Sequence, residues 1–146
     1  MAKYKIINGE GIIPNGTTEI ADNAFKMSNK LKSVTIPESV TKIGESAFEL
    51  CDKLESITIP NSVTKIGKGA FEMSGLRNIT IPNSVTKIGE GAFWWCLNLK
   101  RVTIPNSVTE IGKGAFGWSG LRSITIPNSM TKIGEEAFSK CEKLTS

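Results

Sequence analysis

Six prolines recur at nearly constant intervals along the chain, and this regularity restricts the fold more than any other feature. The intervals are 23, 23, 22, 23 and 22 residues. All six phenylalanines recur in step with them, so almost no sequence is left for a separate domain. A period of roughly 20–29 residues is typical of a solenoid, in which each unit buries its apolar face against the next. The prolines are Pro14, Pro37, Pro60, Pro82, Pro105 and Pro127.

Composition argues against several functional classes. The 146 residues include 18 basic and 14 acidic ones and carry a net charge of +4. They lack the dense Lys/Arg block of a nucleic-acid-binding protein. Histidine is absent, which removes the commonest general base and the commonest metal ligand. No phosphate loop, carboxylate pair or nucleophile–base pair stands out. The sequence therefore predicts no enzyme, no catalytic residue, no cofactor and no metal site.

Residues 54–75 show how the first half of a unit is built. In the segment LESITI, the apolar residues Leu54, Ile57 and Ile59 are predicted to face the core. Thr58 lies between the two isoleucines and points outward, because alternate residues of a strand lie on opposite faces. Pro60 ends this strand, since it has no N–H group for the sheet.

The second half of the unit predicts two further elements. Val63 and Ile66 face the core from a short second strand, and Gly67 allows a turn that a Cβ atom would hinder. Ala70 and Phe71 point inward from a short helical turn. We therefore predict an α+β repeat solenoid with parallel β-strands, made of about six units of 22–23 residues.

These units predict a single domain over residues 1–146. Residues 1–30 form a degenerate N-terminal capping unit, in which the pair Asn8-Gly9 predicts a β-hairpin. Residues 31–143 supply five full repeats. Residues 144–146 begin another unit and stop, which predicts truncation from a longer array. No signal peptide and no apolar run of ~18 residues is found, so we expect no membrane insertion and a soluble, cytoplasmic location for the sequence as given.

The recurring phrase VTIPxSVTxIGxxAFxxCxxL resembles the BspA-like leucine-rich repeat of bacterial surface proteins, over residues 12–146. The resemblance implies a curved leucine-rich-repeat solenoid, at the cell surface or secreted, that adheres to host proteins or to other cells. It implies no catalytic residue and no cofactor. Residues 54–75 and 99–120 are identical at 16 of 22 positions, which also allows a structural, engineered or consensus-like scaffold without a ligand.

We use the word column for the residues that occupy the same position in successive units. Two such columns indicate that the true period of the repeat is a pair of units. Cys51, Cys96 and Cys141 lie 45 residues apart. Two stacked strands separate such positions by ~10 Å, beyond the ~7 Å that a disulfide spans between Cα atoms, so we predict buried thiols, with an intermolecular disulfide through Cys141 as the alternative. The residue after each Ile-Gly pair alternates in sign, which predicts surface ion pairs or a charged binding strip: Glu45, Lys68, Glu90, Lys113 and Glu135.

The outward columns of the first strand are the predicted binding face. They combine hydroxyl groups with basic side chains, which favours an acidic protein segment or an anionic glycan of the host-matrix type as partner, and not a nucleic acid. A merely solvated strand face is the alternative interpretation. The predicted partner-binding residues of this face are Lys32, Arg77, Thr80, Lys100, Arg101, Thr103 and Arg122.

The tryptophans break the regularity of the repeat. Trp95 and Trp118 occupy a column that holds Met27, Leu50 and Met73 elsewhere, so they are predicted to be core or half-buried. Trp94 and Leu97 stand in columns of charged or small residues and are predicted to be exposed. An exposed apolar pair of this kind is either a partner-binding contact, possible also between copies of this chain, or a packing variation. The uncapped array ends offer a second route to a homo-oligomer.

Overall fold

In the computed structural model, which describes residues 4–145, the chain winds into a β-solenoid. Residues 1–3 of the predicted capping unit and Ser146 of the predicted truncated unit lie outside the described residues. The strands in chain order are β1 (Lys5–Ile7), β2 (Glu10–Ile12), β3 (Glu19–Ile20), β4 (Ser33–Val34), β5 (Lys42–Ile43), β6 (Lys65–Ile66), β7 (Asn78–Thr80), β8 (Lys87–Ile88), β9 (Arg101–Thr103), β10 (Glu110–Ile111) and β11 (Lys132–Ile133).

The first strand of each unit forms one side of the solenoid. β2 pairs with β4 and β7 pairs with β9, all in parallel, and an isolated parallel bridge joins Thr35 to Thr58. The inward and outward assignment is confirmed, since Ile59 is buried and Thr58 is exposed. The regular pairing is less extensive than predicted. The strands that form on this side span two or three residues, residues 54–59 contribute only the Thr58 bridge, and residues 121–126 contain no strand. Pro60 and its equivalents have no N–H group with which to extend the pairing.

The second strand forms the other side and is confirmed in every unit of the described chain. Six parallel strands stack there in the order of the sequence, from β3 to β11. Val63 and Ile66 are buried as predicted. At Gly67 a Cβ atom would come within 2.8 Å of the Ile43 carbonyl oxygen, so the glycine is needed because the preceding turn of the solenoid approaches so closely.

The predicted helical turns are wrong, and with them the α+β class, because residues 4–145 contain no helix. Tight turns replace them. Ser46, Phe48 and Leu50 donate backbone hydrogen bonds to the next unit at 2.7–2.9 Å, whereas Ala47 and Glu49 donate to carbonyl groups three residues back. Ser46 and Leu50 have left-handed φ values of 56° and 60°, which no right-handed helix accommodates. Every second backbone amide in this segment thus donates its hydrogen bond to the neighbouring unit, whereas in a helix it would donate within the segment.

The phenylalanine of each unit points inward from these turns and forms a continuous aromatic stack through the core. Phe71 lies 5.2 Å from Phe48 and 5.3 Å from Phe93 between ring centroids, with the rings within 4° of parallel. At the N-terminal end Tyr4 covers Phe25 at 5.4 Å. The stack joins each unit to its neighbours, which is how a solenoid gains its stability.

The predicted N-terminal hairpin is confirmed. β1 pairs with β2 in antiparallel register, and Asn8 and Gly9 both adopt positive φ, as a type I′ turn requires. Because β2 then pairs with β4, the hairpin covers the first edge of the strand sheet.

The cysteines lie under the turns, as predicted for buried thiols. The Cys51 thiol donates a hydrogen bond to the Phe25 carbonyl oxygen at 3.0 Å, and Cys96 and Cys141 repeat this contact with the carbonyl groups of Phe71 and Phe116. Burial raises the pKa of Cys51 to about 12 and that of Cys96 to about 11. Cys141 remains partly exposed.

Thiol labelling should separate these positions. At pH 8 we expect iodoacetamide to modify Cys141 in the folded protein and to leave Cys51 and Cys96 unmodified, because both are buried and held in the unreactive protonated form. In urea all three should react. Mass spectrometry of the labelled peptides measures this, and labelling of Cys51 in the folded protein as fast as in urea would contradict the buried arrangement.

Candidate binding surface

The first-strand side carries a compact group of exposed cations, which we call the basic strip and define as Arg77, Lys100, Arg101 and Arg122. Backbone hydrogen bonds place these residues on consecutive turns of the solenoid. The Lys100 amide donates to the Arg77 carbonyl at 2.8 Å, and the Arg122 amide donates to the Lys100 carbonyl at 3.3 Å. Three successive turns therefore contribute four positive charges at a spacing set by the sheet, ~4.8 Å per turn.

Few of these charges are neutralised within the protein. Arg77 forms an ion pair with Glu55 at 3.1 Å, with both side chains more than half exposed. Such a pair contributes only ~0–1 kcal/mol and exchanges readily with another partner. Lys100, Arg101 and Arg122 form no ion pair with any residue between 4 and 145. The basic strip is therefore able to accept an anionic ligand.

A shallow groove of about 570 Å³ lies beside the basic strip on the same sheet. Thr80 and Thr103 pair across β7 and β9 and line it together with Asn78. Hydroxyl and amide groups both donate and accept hydrogen bonds, so the groove adds directional contacts to the charges beside it. The structure thus brings together six of the predicted residues, namely Arg77, Thr80, Lys100, Arg101, Thr103 and Arg122.

Lys32 lies apart from this group. Its backbone amide donates to the Gly9 carbonyl at 2.7 Å, beside the hairpin, and Glu55 stands between Lys32 and Arg77 in the column. Lys32 also borders a different groove, together with Asp52 and Glu55. The predicted binding face therefore divides into a basic part and a mixed part.

The predictions for the tryptophans are partly wrong. Trp95 and Trp118 are 37% and 38% exposed, whereas Trp94 is half-buried. The cause is the backbone, because Trp95 and Trp118 have left-handed φ values of 59° and 58° that turn their side chains outward. Trp94 instead lies over Gly117, where a Cβ atom would come within 3.0 Å of its indole ring. Leu97 is 58% exposed, as predicted.

A second column of basic residues was not predicted from the sequence as a candidate binding surface. Lys42, Lys65 and Lys87 pair in register along the second sheet, and Lys132 continues the column beyond Glu110. The signal was the lysine that precedes four of the five Ile-Gly pairs. Lys87 forms an ion pair with Glu110 at 3.6 Å, which interrupts the positive run.

The column of alternating charge forms no ion-pair ladder. Among residues 4–145 the ion pairs are Lys26 with Glu49, Arg77 with Glu55, and Lys87 with Glu110, and none joins two members of that column. Three of its members, Lys68, Glu90 and Lys113, instead line a cleft on the turn side of the solenoid.

Other kinds of site find no support in the described part of the chain. No group of three or more His, Cys, Asp or Glu side chains between residues 4 and 145 is placed to hold a metal ion. Residues 4–145 also contain no helix with the length and apolar character needed to cross a membrane.

Comparison with protein families gives one match, to the BspA type leucine rich repeat region, in six copies over residues 12–146. Comparison with curated protein sequences finds no significant match.

Solved structures of similar proteins share the fold. A leucine rich cell surface protein from Faecalibacterium prausnitzii is 35% identical, with a TM-score of 0.65, and the alignment covers 88% of this chain and 42% of that protein. A leucine-rich repeat protein from Bacteroides ovatus is 25% identical with a TM-score of 0.65, covering 93% and 53%. The pneumococcal vaccine antigen PcpA is 29% identical with a TM-score of 0.75, covering 84% and 33%. The chain thus spans about half or less of the length of these relatives.

Proposed function

The chain belongs to the BspA-type leucine-rich repeat family, and from this premise we propose that it is a non-catalytic binding module. The ligand is an acidic protein segment or an anionic glycan, held along the basic strip. The similar protein from Faecalibacterium prausnitzii is described as a cell surface protein, which supports a surface or secreted location for this chain also. An adhesive role is part of the same proposal.

The observation that carries this proposal is the concentration of four exposed cations on three consecutive turns, of which Lys100, Arg101 and Arg122 form no ion pair with any residue between 4 and 145. Arg101 and Arg122 have planar guanidinium groups that bind carboxylate or sulfate oxygens in pairs, which a lysine ammonium does not do. This difference favours the basic strip over the lysine column of the second sheet, where Lys87 is already paired.

Charge reversal tests the proposal. The substitutions Lys100→Glu, Arg101→Glu and Arg122→Glu, made together, should weaken binding to immobilised heparin and to a poly-glutamate peptide at least ~10-fold, equivalent to about 1.4 kcal/mol. The attraction between the strip and the anionic probe becomes repulsion. Biolayer interferometry at low and high salt measures the effect, and the wild-type affinity should fall as salt screens the charges.

A matched control distinguishes binding at the basic strip from a general effect of the protein's net charge. Lys65→Glu, Lys87→Glu and Lys132→Glu change the total charge by the same amount on the second sheet, and should weaken binding less than ~3-fold. Equal losses in the two triple variants would contradict a specific strip. An absence of wild-type binding to both probes would support the alternative of a scaffold without a ligand, and size-exclusion chromatography of the same samples would show whether such a scaffold self-associates.

A further inference from the structure

A cleft of about 350 Å³ opens on the turn side of the solenoid, away from both sheets. Its volume lies at the lower end of the roughly 300–1,000 Å³ that small-molecule sites occupy. None of the residues that line it belongs to the basic strip.

Two glycines form the floor of this cleft. Gly91 and Gly114 have left-handed φ values of 60° and 63°. A Cβ atom on either would have just one atom of Trp94 within 4 Å, at 3.8 and 3.7 Å respectively. The space above both residues is therefore open. The same column holds Ser46 and Glu136 in other units, so the absence of side chains here is specific to the middle of the array.

Two tryptophans supply an aromatic wall. Trp94 lines the cleft and is held in place by its contact with Gly117, the residue that follows it in the same column. Trp118 lines the cleft beside it, and its ring stacks on Trp95 at 5.3 Å. Because both rings are fixed by their neighbours, little conformational freedom is lost when a ligand packs against them.

Charged groups of both signs surround this wall. Lys68 and Lys113 bring ammonium groups to the cleft, and Glu72, Glu90 and Glu136 bring carboxylates. None of the five takes part in an ion pair with any residue between 4 and 145. The cleft therefore offers free hydrogen-bond donors and free acceptors beside an apolar surface.

We propose that this cleft binds one pyranose unit of a neutral saccharide. A pyranose ring presents C–H groups on one face, which pack on the negative face of an indole, and hydroxyl groups around its rim. Each hydroxyl both donates and accepts, so a saccharide uses both the ammonium donors and the carboxylate acceptors of the cleft, and loss of either kind weakens its binding. The two ammonium groups and three carboxylates sum to a net charge of −1, so the cleft attracts neither a cation nor an anion strongly. The proposal is independent of the basic strip, on a different side of the solenoid.

Saturation-transfer NMR with neutral sugars tests this site. The probes are the methyl glycosides of glucose, galactose, mannose and N-acetylglucosamine, with tetramethylammonium as a cationic comparison. We expect at least one glycoside to receive saturation and tetramethylammonium to receive none. Trp94→Ala should weaken that binding at least ~10-fold, whereas Trp94→Phe, which keeps an aromatic face, should stay within ~3-fold.

Further variants keep the test decisive. Lys132→Ala lies on the second sheet, outside the cleft lining, and should bind as the wild type does. Lys113→Glu leaves the aromatic wall intact and should weaken binding about fivefold, which covers the case that Trp94→Ala fails to fold. The triple basic-strip variant should bind the sugar normally, so failure of the two proposals is distinguishable. No saturation of any glycoside, preferred binding of tetramethylammonium, or unchanged binding by Lys113→Glu would each overturn the pyranose site.

Discussion

Replacement of Phe71 by alanine is expected to lower the free energy of unfolding by about 3–5 kcal/mol, the usual cost of emptying a buried phenylalanine site. Phe71 is fully buried in the middle of the aromatic stack, with a parallel ring 5.2 Å away on one side and 5.3 Å on the other. The cavity therefore removes contacts with two units at once. Urea denaturation followed by circular dichroism measures the loss.

Phe138→Ala is the matched control for this prediction. Phe138 is half-buried and stacks on Phe116 at 5.6 Å, without a further phenylalanine beyond it. Its removal should cost clearly less than that of Phe71, because an end position of a solenoid contacts one neighbour. Equal losses at the two positions, or a loss below ~1 kcal/mol for Phe71→Ala, would show that the stack does not couple the units.

Gly75→Ala is expected to destabilise the fold by about 2–3 kcal/mol, near the upper end of the ~1–3 kcal/mol seen for overpacked sites. A Cβ atom at this position would overlap the Asp52 carbonyl oxygen of the preceding turn. The obstacle is backbone and cannot rotate away. The Gly75 amide also donates to the Cys51 carbonyl at 3.0 Å, so relief of the overlap strains that hydrogen bond. The same denaturation experiment measures the effect.

Gly91→Ala separates steric overlap from backbone strain. At Gly91 the added Cβ atom finds open space, but the left-handed φ of 60° disfavours alanine by about 1 kcal/mol. The loss at Gly75 should therefore exceed the loss at Gly91. A larger loss of stability for Gly91→Ala than for Gly75→Ala would contradict this account. It would mean that the turn at Ser74-Gly75 tolerates a side chain, and that the close approach of the preceding turn is not the reason for the glycine.

Much of this fold could be predicted from the sequence because its strongest signals are local. The prolines mark the end of the extended first segment of each unit, the alternation of Ile57, Thr58 and Ile59 identifies the faces of that segment, and Asn8-Gly9 identifies the hairpin. The segment around Ala70 and Phe71 was mistaken for a helical turn because its decisive hydrogen bonds are non-local. They join residues about 22 positions apart, which no short-range pattern reveals.

The candidate sites also depend on features that the sequence predicts and on others that it does not. Arg77, Lys100, Arg101 and Arg122 form one surface because register follows from the repeat length alone. The exposure of Trp95 and Trp118 depends on the left-handed φ of their position in the repeat. No unit has a glycine at that position, so the sequence does not indicate the left-handed conformation. The cleft on the turn side exists because Trp94 lies over Gly117. The residue spacing of the repeat does not predict that position, so neither the aromatic wall nor the mixed charges of the cleft could be predicted from the sequence.

A ligand titration followed by ¹⁵N chemical-shift mapping tests the central claim, that the side of the solenoid carrying the basic strip is the binding face. With a sulfated heparin tetrasaccharide, we expect the largest shifts in the amides of Lys100, Arg101 and Arg122 and in the adjoining β7. The amides of β6, β8 and β11 on the second sheet should remain nearly unchanged. Shifts concentrated on the lysine column of β6, β8 and β11, or spread evenly over the surface, would contradict the assignment of function to the basic strip.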